Sequence, residues 1–156
     1  MSRVEVREAE LNDRNALRGL MNTYIYDFYH YPRPEEEKLE NLLDVLMEKK
    51  AGTQFVALYD GELVGFATLY FTYSTLRTGK VVIMNDLFVT EKCRIQGVGT
   101  KLFRACNQCA AYNGYVAMLW ETSKANENAQ KFYEKMGGER EEWYPYSIKP
   151  LIGVGD

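Results

Sequence analysis

Histidine occurs once in these 156 residues, at position 30, and cysteine three times, at 93, 106 and 109. An odd number of thinly spread thiols gives no disulfide framework and suits a reducing compartment. Cys106 and Cys109 form a C-x-x-C, but both fall inside a helical pattern, away from the helix start that would lower a thiol pKa. No second pair exists to complete a zinc tetrahedron. They are expected as small core residues, and no metal is expected. Long apolar runs are also lacking. None approaches the ~18 residues of a membrane span, and the N-terminus alternates Arg3, Glu5, Arg7 and Glu8 instead of presenting the apolar stretch of a signal peptide. Nor is charge of one sign concentrated. The net charge is −3, the pI about 5.3, and lysine and arginine are scattered rather than striped. Neither nucleic acid nor a membrane surface is an expected partner, and a soluble, cytoplasmic protein is the expectation.

What is present is apolar material for one core. With 46% hydrophobic residues, the chain reads as a single domain, 1–156, able to bury about 70% of its unfolded surface. Val4 and Val6 alternate with charges and predict a strand. Asn12 or Asp13 can cap a helix with Leu17, Leu20, Met21, Tyr24, Ile25 and Phe28 on one face, ending before Pro32 and Pro34. A second helix fits Glu35 to Lys49, with acids in its first turn, lysines in its last, and Gly52 as its stop. Thr53 to Tyr59 and Leu63 to Tyr73 are β-rich and joined by Asp60-Gly61, a dipeptide suited to a tight hairpin. Lys80 to Val89 is nearly continuous in apolar residues and should sit centrally in a sheet. Gly97 to Asn113 is helical, with Val98, Leu102, Cys106, Cys109 and Ala110 on one face. Tyr115 to Thr122 predicts a strand, and Asn126 to Met136 a short helix closed by Gly137-Gly138. The tail, with Trp143, Tyr144 and Tyr146 broken by Pro145, predicts one or two edge strands.

The stretch Arg94-Ile95-Gln96-Gly97-Val98-Gly99 puts two glycines where backbone must approach a ligand closely and where side chains would keep amides from converging on an anion. The helix that starts there adds about half a positive charge, so a diphosphate can be held without a metal. A dinucleotide fingerprint would need a third glycine at position 102, where Leu102 stands, and its first glycine directly after the strand. Glu121 lies near the place of a ribose-binding acid, so that position alone does not exclude it. The P-loop pattern is absent.

Two linked motifs carry a resemblance to the GNAT superfamily of acyl-CoA N-acetyltransferases. One is the family's Arg/Gln-x-x-Gly-x-Gly/Ala turn, present as Arg94-x-x-Gly97-x-Gly99. The other is Asn-x-x-Ala-x-x-Phe-Tyr-Glu-Lys-x-Gly, present in full from Asn126 to Gly137. The resemblance covers roughly 80–138 and looks nearest to the branch that acetylates small amines and polyamines. It implies a GNAT-like α/β (α+β) fold, a mixed twisted sheet of about six to seven strands with about four helices around it.

The resemblance also implies a site for acetyl-CoA between two splayed strands, Met84 to Val89 and Tyr115 to Thr122. The main chain of Leu87, Phe88 and Val89 would pair with the pantetheine arm, and amides from Ile95, Gln96, Gly97, Val98, Gly99 and Thr100 would cradle the diphosphate. Arg94 and Phe132 belong to the same cofactor set, Asn126 would bond the pantetheine region, and Tyr133 would protonate the departing thiolate. Tyr133 also shares a helical face with Ala129 and Phe132, which suits core packing. The polyamine branch carries an acid one position before the one matched by Asp86; this chain has Asn85 there.

The residue types fit the chemistry. An alkyl amine with pKa near 10.4 is neutral in only about one molecule in 2,500 at pH 7, so an acidic side chain must take its proton. Asp86 and Glu121 are the two candidates. Attack then builds an oxyanion that a strand amide near Leu87 or Phe88 could stabilise, and a thiolate with pKa about 8.5 needs modest help from a tyrosine. No covalent enzyme intermediate is required. Tyr26, Asp27 and His30 project off the core face of the first helix and are candidates to line the acceptor pocket. The expected activity is acetyl transfer to a primary amine, preferably of a small molecule. A protein N-terminus or lysine as acceptor, a non-catalytic acyl-CoA sensor, and an interaction domain with a vestigial turn stay open. An exposed strand edge near the C-terminus could pair two copies into a homodimer.

Overall fold

In the computed structural model, which describes residues 3–94 and 97–151, the alternating run VEVRE forms β1 (Val4–Glu8). β2 (Gly52–Tyr59) and β3 (Glu62–Ser74) follow as a hairpin whose turn residues Asp60 and Gly61 have φ of 51° and 83°, the mirror-image turn that matches strand twist. β4 (Gly79–Val89) pairs antiparallel with β3, and β5 (Ala117–Leu119) parallel with β4. The order is β1-β2-β3-β4-β5. β4 therefore has a neighbour on each side, as its apolar run demands.

Alternation sends successive residues of β3 to opposite faces. Phe66 enters a core with Leu17 and Met21 of α1 (Arg14–Asn22) and Leu39 and Leu43 of α2 (Glu36–Met47). A Cβ on neighbouring Gly65 would instead meet Leu102 of α3 (Val98–Tyr112) at 3.2 Å. So α1 and α2 cover one face of the sheet and α3 the other, the mixed α/β arrangement expected.

Contacts divide the chain into two compact units, 1–121 and 122–156. The second contains α4 (Glu127–Lys135), capped by Asn126, whose Oδ1 accepts the Ala129 N–H at 3.1 Å. No strand follows among the described residues. Trp143, Tyr144 and Tyr146 are exposed, and Pro145 and Pro150 have no N–H to give a ladder. The sheet thus has five strands rather than six or seven.

Four local expectations change. Gly52 does not stop α2 but opens β2, where a Cβ would strike the Leu69 carbonyl at 2.2 Å; the reversal falls at Lys49, φ 60°, and the lysines lie beyond the last turn. The Asp13 carboxylate does not cap α1. It accepts two bonds from Arg7, at 2.7 and 3.0 Å, and the Glu10 N–H at 2.7 Å, because a charged donor outcompetes a helix amide. β5 is three residues long rather than eight. On α3, Phe103 is buried where Cys109 is only half-buried.

The first helix also changes pitch. After Asn22 it widens into a π-helical turn, Thr23–Phe28, in which the Tyr29 N–H donates to the Tyr24 carbonyl, five residues back, at 3.1 Å. The extra residue rotates the end of the helix, so Phe28, placed in the core by α-periodicity, is 39% exposed.

Candidate active site

β4 and β5 stay paired only from Val81↔Ala117 to Ile83↔Leu119. Beyond Ile83, β4 continues with β3 as far as Val89, but its other edge carries no ladder partner among the described residues. Leu87, Phe88 and Val89 therefore lie on a strand with one edge open, which can accept an extended ligand as an added strand.

That strand runs into a second main-chain feature. Gly97 caps α3 with φ of 78°, a left-handed conformation that costs other residues about 1–2 kcal/mol. No side chain caps this end, and the first helical bond is from the Lys101 N–H to the Gly97 carbonyl at 3.2 Å. The amides of Val98, Gly99 and Thr100 thus lack helical acceptors, and with the macrodipole they form a cradle for an anion. Ile95 and Gln96, the other expected cradle residues, lie outside the described residues. Arg94 is turned toward the end of β4. Its Nε donates to the Val89 carbonyl at 3.1 Å, and its guanidinium carbon lies 5.3 Å from the Phe28 ring and 5.9 Å from that of Phe88.

Between these features β4 is irregular. Thr68 and Leu69, adjacent on β3, oppose Asp86 and Met84, so Asn85 is the extra residue of a β-bulge. Asp86 thereby comes onto the α1 face in the row Gln54–Thr68–Asp86 across three strands. Gln54 and Thr68 are fully buried, and the Gln54 Nε2 donates to Thr68 Oγ1 at 3.0 Å. Asp86 is half-buried. It accepts a bond from Asn85 Nδ2 at 3.1 Å, with Tyr24 and Tyr70 close enough for their phenols to feel the charge. Burial, then Asp86, push the Tyr24 phenol far above its usual range, and the same two causes in the same order raise Tyr70.

The other predicted residues fall elsewhere. Glu121 does not end a strand. It is exposed, two residues beyond β5. Tyr26, Asp27 and His30 are exposed on and after the π-helical turn, with Arg33 over the Tyr26 ring at 4.3 Å. In the second unit, Asn126 spends its side-chain oxygen on the α4 cap, and half-buried Phe132 and Tyr133 pack at 5.4 Å. Sequence reasoning missed Tyr24 and Tyr70, which it could read only as apolar positions, and the bulge at Asn85. The one visible trace was a polar pair, Asn85-Asp86, interrupting an apolar strand. A separate cleft of about 490 Å³ lined by Glu8, Lys49, Thr53, Cys109 and Tyr115 contains none of these residues. Its acid is already taken by Lys49 at 3.2 Å and Thr53 at 2.6 Å.

Comparison with known proteins places similar chains beside this one. The acetyltransferase (GNAT) family matches residues 17–138. An uncharacterized N-acetyltransferase of Bacillus subtilis (strain 168), YhfO, is 30% identical over 138 residues, 88% of this chain and 91% of its own length. A thialysine N-epsilon-acetyltransferase of Mus musculus is 31% identical over 91 residues, 56% of this chain and 53% of its own. The crystal structure of a probable acetyltransferase superposes with a TM-score of 0.81 at 31% identity, covering 95% of this chain and 98% of that one.

Proposed function

The chain belongs to the acetyltransferase (GNAT) family and is an acetyl-CoA-dependent N-acetyltransferase, and from that premise we propose that it passes the acetyl group directly to the primary amine of a small molecule. The observation that carries this reading is the open edge of Met84 to Val89 leading to three amides at the start of α3 that have no helical acceptor among the described residues. Pantetheine adds along Leu87, Phe88 and Val89, and the diphosphate sits on amides of Ile95 to Thr100, with Arg94 beside it. Asn126 offers its amide NH2 to pantetheine, and Phe132 lies along the cofactor. The small-amine preference draws on the thialysine enzyme, whose name gives it such an acceptor.

Direct attack is favoured over a covalent intermediate because no thiol is primed. Cys93 and Cys106 are buried, burial pushes the Cys106 thiol up to about 12, and burial also raises Cys109. Asp86 is the better base: half-buried and bonded by Asn85 Nδ2, it is set more firmly than exposed Glu121. The ammonium proton passes to Asp86, the neutral amine attacks the thioester carbonyl, the C–S bond breaks as Tyr133 protonates the thiolate, and the second proton released from the amine nitrogen restores the Tyr133 hydroxyl. Tyr26, Asp27 and His30 line the approach of the amine.

A CoA-release assay over polyamines, amino acids, aminoglycosides and short peptides tests the reading, together with Tyr133→Phe. Turnover of the variant should fall by about 10²-fold with CoA affinity nearly intact. Acetyl-CoA binding with no release for any amine would favour a sensor, and release only with peptides would move the acceptor to proteins.

A further inference from the structure

Between α1 and the start of α2 lies a cleft of about 340 Å³ that none of the roles above uses, walled by Arg18, Asn22, Arg33, Pro34, Glu36 and Leu39. That is the lower end of the range of small-molecule pockets, about 300–1,000 Å³. Leu39 is buried in the core beside it, so the wall itself is mostly polar. Much of its hydrogen-bonding capacity is unspent. Arg18 turns its Nε to Glu40 Oε1, and Arg14 Nε donates to the other oxygen of the same carboxylate at 3.1 Å, so two guanidinium groups share one acid. Among the described residues, the terminal nitrogens of Arg18, the Asn22 amide and the Arg33 guanidinium have no hydrogen-bond or ion-pair partner.

Arg33 is also held in place before any ligand arrives. Pro32 and Pro34 fix φ on either side of it, and Pro34 restricts Arg33 itself to extended backbone. Its guanidinium carbon lies 4.3 Å from the centre of the Tyr26 ring, a contact that uses the face of the group and leaves its in-plane N–H donors free. Such a fork matches the two oxygens of a carboxylate. Glu36, the one acid on the wall, stands in the first turn of α2, where the helix dipole favours it, and pairs with neither arginine among the described residues. Cations therefore outnumber acids on the wall.

We propose that this cleft binds the carboxylate of the acceptor, so that the preferred amine belongs to an amino acid. The inference rests on the reading above that Tyr26 lines the approach of the amine. Tyr26 lies one helical turn beyond Asn22 and under Arg33, so the carboxylate site and that approach share a residue. An anchor there fixes one end of the acceptor while its amine reaches the thioester, and no group is transferred at the cleft.

Each amino acid of an acceptor panel, lysine first, is assayed for CoA release beside its carboxamide, which keeps the amines and replaces the carboxylate by a neutral group. The amino acid should be preferred by at least about tenfold in kcat/KM, mostly through KM. Arg33→Gln should bring that ratio below about threefold, and Arg33→Lys should give an intermediate ratio, because it restores the charge without the fork. Arg33 is exposed and makes no ion pair among the described residues, so the fold does not depend on it, and thermal stabilisation by acetyl-CoA checks this in each variant. A ratio near one in the wild type, full preference in Arg33→Gln, or turnover of polyamines alone would overturn the proposal and leave acetyl transfer to small amines standing. No release with any amine removes that function and this inference together.

Discussion

Replacing Gly97 by alanine separates a conformational cost from a ligand cost, because the structure makes the two independent. A Cβ built at Gly97 meets nothing within 4 Å, so the methyl group clashes with no part of the ligand-free protein. What remains is the left-handed φ of 78°, worth about 1 kcal/mol against an L side chain. For a chain of this size that is a fall of about 2–4 °C in Tm. On the function proposed above, the diphosphate sits on the amides of this turn, and the added methyl group would crowd it there. Acetyl-CoA at ~100 times its dissociation constant stabilises the wild type by about 2.7 kcal/mol; a tenfold weaker site at the same concentration leaves about 1.4 kcal/mol. Differential scanning fluorimetry with and without acetyl-CoA should therefore show a small drop in the free Tm and a ligand-induced shift reduced to about half. A full-sized shift in Gly97→Ala would refute the argument that the turn holds the diphosphate.

Two further outcomes follow from the core and its acidic edge. Phe66→Ala removes a fully buried ring that meets both Tyr24 and Phe88 and should cost about 3–5 kcal/mol in denaturant unfolding, with loss of Tyr24 ordering as a near-ultraviolet dichroism change. The Arg7 guanidinium holds the buried Asp13 carboxyl below its usual value, despite opposing burial. A lowered folded pKa gives stability that is present above the unfolded pKa and lost as pH falls through the folded one. Asp13→Asn should thus destabilise by about 2 kcal/mol at pH 7, and the gap from wild type should close below about pH 4. A constant gap from pH 7 to pH 2, measured by urea midpoints, would contradict this.

Legibility followed the range of the interactions involved. The Gly97 turn and the start of α4 at Asn126 depend on residues within about one helical turn, so both were readable, as were the hairpin at Asp60-Gly61 and the apolar face of α2. The surroundings of Asp86 were not. The bulge at Asn85 is a count of β4 against β3, and apolar Met84 and Leu87 flank it in a way that hides the slip. The early end of β5 depends on where its backbone leaves β4 rather than on its own β-rich residues.

Sequence alone determined the chain's family, the glycine turn that opens α3 and the candidate acid of β4, because glycine conformations, caps and motif spacings are local properties of covalently near residues. Tertiary structure decided which way that acid faces and what holds it. A bulge is defined only against the neighbouring strand, and the widened turn that sets Tyr24 edge-on to Phe66 and Phe88 reveals its consequence only when packed against the sheet.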